Sequence, residues 1–326
     1  MLDPVIRVAK RGSFHVGGER TKLENIPVED YPYSGKFIFH SDPNGTHWTK
    51  QMYVQYTLLE QPRAPYPVLM WHGGGLTGVT WETTPDGREG WDTLFLRAGY
   101  NVYISDAVER GRASWAKFPE VNPTPPVFHS YESRWLNLKM GVTYPIPYEG
   151  NRFPVDHYDQ LMMQGVPRWL TSDEWTMDAY EKYLERMRKS VNGVVILAHS
   201  QGAIFAWEAA RRFPGFVKGL ILVEGAGVPD VKEDWTALKG IPQLYVYGDF
   251  MSSEYEPVHS WVQNVRENAP GWRAYMERHG MDYTWMSLPD LGIKGNSHML
   301  MMDDNNADIA AMIWQWLEKK GLGAVP

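Results

Sequence analysis

The sequence contains no cysteine, and this absence excludes several kinds of chemistry. Disulfide bridges, a thiolate nucleophile and cysteine-bound metals are impossible in a 326-residue chain that lacks the residue. No apolar run approaches the roughly 20 residues of a membrane-spanning helix, and the N-terminus has no apolar run typical of a secretory signal. We therefore expect no membrane span and a cytoplasmic location by default, with a secreted or periplasmic mature form as the alternative.

Clustered positive charge is also missing. The chain has 32 Lys and Arg against 39 Asp and Glu, a formal net charge of −7, and the basic residues are scattered. A nucleic-acid partner is therefore not expected, because such a surface needs a basic patch. The sequence has no HExxH motif and no carboxylate cluster, so we expect no metal and no other cofactor. The expected partner is a small-molecule substrate, and a homodimer is one option for the assembly.

The centre of the chain carries the strongest local signal, in the stretch VVILAHSQGAIFAWEAARR that begins at Val194. Its first residues predict a buried strand, and the alanine-rich residues at its end predict a helix. Between them Ser200 stands at a tight turn with small residues, Ala198 and Gly202, two places on either side, as in a nucleophile elbow. The match is A-x-S-x-G and not the full G-x-S-x-G, and a serine that only caps a helix is the alternative.

Strand-like and helix-like stretches alternate through most of the chain, which predicts an α/β protein with a mostly parallel sheet and helices on both faces. The first 60 residues are β-rich, with Gly17-Gly18 as a candidate hairpin turn. Residues 115–171 break this rhythm and are dense in proline and aromatic side chains. We predict that they form an ordered cap, inserted before the strand that leads to Ser200, on a core of residues 1–114 and 172–326.

A reactive serine needs a base to take its proton and an acid to orient that base. His298 is the candidate base, because it lies in a Gly/Asn/Ser loop after the last predicted strand and before the final helix. Two acids follow at strand ends, and the residues leave both open. Asp249 occupies the commoner position but could simply form a turn, whereas Glu224 ends an apolar strand and would need a partner there.

A glycine-rich loop after an earlier strand offers the remaining component. His72-Gly73-Gly74-Gly75 follows the apolar run Val68–Trp71, and consecutive glycines let backbone N–H groups turn toward a substrate. With the N–H of Gln201, directly after the serine, the N–H of Gly74 or of Gly75 would form an oxyanion hole. A phosphate cradle is the alternative for such a loop, but no lysine follows it.

These motifs together resemble the α/β-hydrolase superfamily over nearly the whole chain. More narrowly, HGGGLTGVTWETTPDGREGW at 72–91, AHSQG at 198–202 and LVEGAG at 222–227 are similar to a small group of bacterial serine esterases. The resemblance implies a triad of Ser200, His298 and Glu224, with Asp249 as the alternative acid. It also implies Gly74 and Gln201 as the oxyanion donors.

The cap suggests what the substrate looks like. Trp115, Trp135 and Trp169 of the cap, and Met299 after the candidate base, are predicted to line the pocket. Such a pocket favours a medium-sized apolar or aromatic ester, or a lactone, hydrolysed through an acyl-enzyme. The alternatives are a receptor-like protein on the same scaffold with little turnover and an enzyme similar to the cofactor-free haloperoxidases.

Overall fold

The apolar runs of the sequence form the strands of the computed structural model, which describes residues 5–117 and 119–324. The two ends of the predicted core and residue 118 of the predicted cap lie outside the described residues. The strands are β1 (Val8–Leu23), β2 (Glu29–Tyr33), β3 (Phe37–Ser41), β4 (Gly45–Leu59), β5 (Val68–Trp71), β6 (Val102–Asp106), β7 (Val194–His199), β8 (Val217–Val223), β9 (Gln243–Tyr247) and β10 (Tyr283–Ser287).

Eight of these strands form one sheet in the order β1-β4-β6-β5-β7-β8-β9-β10, while β2 and β3 form a separate hairpin. Strand β4 runs antiparallel to both of its neighbours, and all other neighbours in the sheet run parallel. The mostly parallel sheet is therefore as predicted. Ser200, Glu224 and Asp249 follow the carboxyl ends of β7, β8 and β9, at the edge where parallel sheets build their sites.

The predicted hairpin turn at Gly17-Gly18 is wrong. Both glycines lie inside the long strand β1, where Gly17 pairs with Gln51 of β4. Their φ values are 78° and 77°, and a Cβ on Gly18 would lie 2.3 Å from the backbone oxygen of Thr49. The glycines thus permit a local distortion of a continuous strand. Composition could not distinguish this distortion from a turn.

Helices pack on both faces of the sheet. They are α1 (Trp91–Arg97), α2 (Tyr131–Asn137), α3 (Tyr158–Met163), α4 (Asp173–Met187), α5 (Gln201–Arg212), α6 (Ser260–Arg278) and α7 (Asn306–Lys319). Side chains of β7 alternate between the two cores, because successive side chains of a strand point to opposite faces. Val194 and Ile196 pack with α4, α5 and α6, whereas Val195 and Leu197 pack with α1 and α7. None of the helices in the described ranges is both long and apolar enough to cross a membrane.

The described residues of the segment 115–171 are largely irregular and include the helices α2 and α3. Trp135 of α2 and Leu161 of α3 are buried in the same apolar core as Met299. An isolated antiparallel bridge joins Val127 to Arg168 near the end of the segment. The segment is thus packed against the sheet domain near the carboxyl ends of the strands. Its role as a cap stays a prediction.

Candidate active site

The predicted nucleophile stands in a strained backbone turn. Ser200 joins β7 directly to α5 with φ 54° and ψ −119°, a conformation that residues other than glycine rarely adopt. The glycine two places on is required sterically, because a Cβ on Gly202 would lie 2.8 Å from the carbonyl oxygens of Trp71 and His72. Ala198 lies two places before Ser200, fully buried on β7, so a methyl group fits at that position.

The candidate base contacts one of the two candidate acids. His298 Nδ1 donates a hydrogen bond of 3.0 Å to Glu224 Oε2, and both residues are buried. The ammonium of Lys139, which is also buried, lies 2.8 Å from Oε2 and 3.0 Å from Oε1 of the same carboxylate. The backbone N–H of Gly248 donates to Oε1 as well. Glu224 therefore receives hydrogen bonds at both oxygens and is paired with a positive charge.

These contacts set the charges of the pair. Burial raises the pKa of Glu224, but the charge of Lys139 and the hydrogen bonds from His298 and Lys139 outweigh it, so that the pKa lies below its ordinary value. Burial lowers the pKa of His298 below 6.5, and the contact with Glu224 offsets only part of that effect. At neutral pH the site therefore holds an ionised Glu224 beside a neutral His298, the form in which an imidazole can accept a proton.

Asp249 has a different role in the structure. Its Oδ1 accepts from the backbone N–H of Phe250 at 2.9 Å, and its Oδ2 accepts from that of Gly295 at 3.0 Å. In the described part of the chain, no hydrogen bond joins it to His298. Because Gly295 begins the loop that carries His298, Asp249 holds the loop rather than the imidazole.

Two further side chains, which the sequence did not single out for this purpose, hold the imidazole of His298. His199 Nε2 lies 2.9 Å from the carbonyl oxygen of His298, and the two rings are 4.7 Å apart. Burial holds the pKa of His199 well below its ordinary value, so the neutral ring donates from Nε2 to that carbonyl. The ring of Trp261, at the start of α6, also packs against the imidazole of His298, and the centroids of these two rings are 4.2 Å apart.

Ser200 and His298 line the same cavity, with Glu224 behind the imidazole. Among the described residues, Ser200 Oγ forms no hydrogen bond with His298. In structures without substrate such catalytic hydrogen bonds are often long or poorly aligned, and they tighten when a substrate binds. The ring nitrogen Nε2 of His298 remains available on the cavity side, since Nδ1 is engaged by Glu224.

The glycine-rich loop is held by its own histidine. The backbone N–H of Ala107 donates to His72 Nε2 at 3.0 Å, so the proton of the neutral ring is on Nδ1, which donates to the carbonyl of Gly73 at 2.8 Å. Burial lowers the pKa of His72 to about 4, which keeps this tautomer neutral. In a trans peptide the N–H of the next residue points away from the carbonyl, so the N–H of Gly74 points away from His72.

The two predicted oxyanion donors lie on one cavity. Gly74 and Gln201 both line it, together with Ser200. Gln201 begins α5, and the first N–H groups of a helix have no acceptor within the helix. The alternative donor Gly75 is held differently: its φ is 66°, and its carbonyl accepts from Arg134 Nη2 at 3.0 Å.

The cavity has a volume of about 400 Å³ and a mixed lining. Its polar lining comes from the cap segment, from α5 and from the start of α6: Asn137, Arg168, Gln201, His259 and Asn264. Its apolar lining comes from the same parts of the chain and from the residue after the glycine loop: Leu138, Ile204, Trp261 and Leu76. Within the described residues, no group of three His, Asp or Glu side chains is arranged to bind a metal ion.

The four residues predicted to wall the pocket lie elsewhere. Trp135, Trp169 and Met299 are packed into the interior, and Trp115 is 57 % exposed on the surface. The ring nitrogens of Trp135 and Trp169 donate to carbonyls within the cap segment, those of Ile146 and Thr124. Aromatic density in the sequence therefore reports how this irregular segment is packed, and different side chains line the cavity.

Sequence reasoning missed Lys139, Trp261 and Arg168. A signal existed for Lys139, because it is the single charge in the apolar stretch WLNLKMG, and a lysine there needs a buried partner. For Trp261 and Arg168 the sequence offers no comparable signal.

Comparison with known proteins identifies the fold and the broad class of activity. A bacterial esterase of known structure, solved at atomic resolution, superposes with a TM-score of 0.82 and is 32 % identical, over 98 % of both chains. The chain belongs to the α/β-hydrolase superfamily, and within it resembles bacterial esterases. It is also 27 % identical to a fungal protein named probable secreted lipase phiG, from Fungal sp. (strain ATCC 74256), over 98 % of this chain and 97 % of the relative. No family model matches the sequence. The predicted fold is thereby confirmed, and the protein is an esterase- or lipase-like hydrolase.

Proposed function

We propose that the protein is a serine carboxylic-ester hydrolase that acts through an acyl-enzyme, with Ser200, His298 and Glu224 as its triad. The observation that carries this proposal is the buried contact between His298 Nδ1 and Glu224, on the loop that faces the strained turn of Ser200. The substrate is an ester or lactone small enough for a cavity of about 400 Å³. The fungal relative is named as a probable secreted lipase, whereas the cytoplasmic location of this chain stays a prediction.

The chemistry assigns one task to each residue. Ser200 Oγ attacks the carbonyl carbon while its proton passes to His298 Nε2, and the carbonyl oxygen becomes an oxyanion that accepts from the N–H groups of Gly74 and Gln201. Collapse of this intermediate breaks the bond to the alcohol oxygen, which takes the proton from His298. Water then attacks the acyl-enzyme by the same route, and the acid leaves. Glu224 holds the tautomer of His298 and stabilises its protonated form.

A labelling experiment tests the proposal. We expect a p-nitrophenyl ester to be hydrolysed with many turnovers, and a serine-directed organophosphonate to abolish that activity with one adduct per chain. Peptide mass spectrometry is expected to locate the adduct on Ser200. Labelling without turnover on any ester would instead indicate the receptor-like alternative, and an adduct on another residue would remove Ser200 from its role.

Lys139 is included in the proposal as a positioning residue that keeps Glu224 ionised in a buried environment. Since removal of a neighbouring positive charge raises the pKa of a carboxyl group and of an imidazole alike, Lys139→Met is expected to raise the pKa of both Glu224 and His298. Activity requires the deprotonated form of each. The acid limb of the kcat/KM profile, expected below pH 6.5 in the natural protein, therefore moves to higher pH in the variant.

The measurement is kcat/KM against pH, with thermal unfolding followed in parallel. Lys182→Met is the matched control, because Lys182 forms an exposed ion pair with Asp178 on α4. A purely structural role of Lys139 would lower the melting temperature and leave the acid limb in place. That result would remove the electrostatic role from the proposal.

A further inference from the structure

In the part of the chain that the structure describes, the cavity beside Ser200 has one permanently charged side chain in its wall, and that charge is positive. Arg168 lines the cavity, and no Asp or Glu side chain of the described residues does. Glu224, which lies nearby, is enclosed behind His298 and already paired with Lys139. The cavity therefore presents a guanidinium to whatever enters it, and nothing in its wall neutralises that charge directly.

Among the described residues, the guanidinium of Arg168 forms no hydrogen bond and no ion pair, although the charge of Asp173 acts on it from a distance. The Nε atom of Arg168 is buried. Burial lowers the pKa of Arg168, and the charge of Asp173 offsets only part of this effect. Asp173 itself accepts a hydrogen bond from the Gln201 side chain at 3.1 Å. A partly desolvated arginine with no anion in direct contact is stabilised when a ligand supplies one.

The side chain of Arg168 does not hold the cap segment together. The bridge that joins Arg168 to Val127 uses backbone atoms alone, with N···O distances of 2.7 and 3.0 Å. The surroundings are positive as well: burial and the charges of Arg134 and Arg168 lower the pKa of His129 to about 4. The side chain of Arg168 is thus free to serve a ligand.

The position of Arg168 limits where the anion would lie. A Cβ on Gly74 would come within 2.5 Å of Arg168 Nη1, so the guanidinium lies against the glycine whose N–H faces the proposed oxyanion. An anionic group bound there is only a few bonds away from the carbonyl that Ser200 attacks. Guanidinium presents paired N–H donors that match a carboxylate.

We propose that the substrate is an ester that carries a free carboxylate close to the scissile carbonyl, bound by Arg168. This inference rests on the proposed function and specifies its substrate class. A half-ester of a short dicarboxylic acid has the required arrangement. Its free carboxylate accepts from Arg168 while its ester carbonyl lies between Ser200 and the N–H groups of Gly74 and Gln201.

The test compares two esters of nearly the same shape. One is monoethyl glutarate, and the other is its neutral counterpart, in which the free carboxylate is replaced by a primary amide and the ethyl ester is kept. We expect the natural protein to hydrolyse the anionic ester with the higher kcat/KM. Arg168→Met should reduce kcat/KM for the anionic ester roughly 10- to 100-fold, the range for a hydrogen bond to a charged group, and should affect the amide several-fold less. The matched control is Arg278→Met, at the exposed end of α6, with the ratio of the two substrates unchanged.

Two results would overturn the inference. One is an equal loss on both substrates in Arg168→Met, which would mean that Arg168 acts on the oxyanion or on the shape of the loop. The other is the absence of any preference for the anionic ester in the natural protein. Glutarate binding to Ser200→Ala, measured by calorimetry with and without Arg168→Met, separates the two proposals. Glutarate binding lost with Arg168 supports the carboxylate site even if no ester is turned over, and Ser200-dependent turnover of the amide supports the hydrolase even if Arg168 has no effect.

Discussion

Ser200→Ala is expected to lower kcat for any ester on the order of 10⁶-fold, the loss found when the nucleophile of a triad is removed. The reason is that the base, the acid and the oxyanion donors act as a unit around one oxygen, and none of them attacks a carbonyl in its absence. The folded protein should be nearly unchanged, because Ser200 Oγ has no hydrogen-bond partner among the described residues and its removal leaves no buried group unpaired.

The measurement is turnover of a p-nitrophenyl ester, with the melting temperature as the test of folding. Ser260→Ala is a stringent control, since Ser260 is the other serine that lines the cavity. We expect this variant to retain at least about a tenth of the activity, because losing one polar contact costs on the order of 1 kcal/mol. If Ser200→Ala kept more than a few per cent of the natural rate, the nucleophile would have to be sought elsewhere.

The second large effect is expected from Glu224→Gln, with a loss in kcat on the order of 10⁴-fold, as for the acid of other triads. An amide cannot stabilise the imidazolium by charge, and its NH₂ group would face donors that now point at a carboxylate oxygen. Asp249→Asn should cost less than 10-fold, because that carboxylate binds the backbone N–H groups of Phe250 and Gly295 and leaves His298 untouched. The opposite ranking would make Asp249 the acid.

A loss of activity in Glu224→Gln could also come from misfolding, because Lys139 would remain buried without its partner. Breaking a buried ion pair on one side costs about 3–5 kcal/mol, whereas replacing both charges is often neutral. The double variant Lys139→Met with Glu224→Gln separates the two causes. We expect its melting temperature to recover toward that of the natural protein while its kcat stays low. Recovery of activity along with stability would show that Glu224 is structural.

Local sequence patterns predicted the parts of the site that depend on neighbours in the chain. The turn around Ser200 needs a glycine at position 202, because a Cβ there would lie 2.8 Å from the carbonyl oxygens of Trp71 and His72. This requirement is visible in the sequence as a motif. The succession of strands along the chain, and the position of His298 after the last of them, follow from the hydrophobic pattern and from turn residues, which are also local features.

The choice between the two acids was open in the residues themselves because Glu224 and Asp249 both end parallel strands at one edge of the sheet. The tertiary structure separates them through backbone conformation. Glu224 has φ 51° and directs its carboxylate to His298 and Lys139, whereas Asp249 turns back to the loop that carries the base. Such a difference leaves no trace in a hydrophobic pattern.

By itself, the sequence determined the α/β architecture and the strand–serine–helix turn, and it supplied the histidine that follows the last strand. These features depend on residues close together in the chain, whose preferences add up within one element. The tertiary structure alone decided that Lys139 neutralises Glu224, that Trp261 packs on the imidazole and that Arg168 lines the cavity. Those contacts join residues far apart in the chain. Lys139 and Arg168 belong to an irregular segment without periodicity, and only the packing of that segment on the sheet brings them to the site, whereas Trp261 is brought there by the packing of α6.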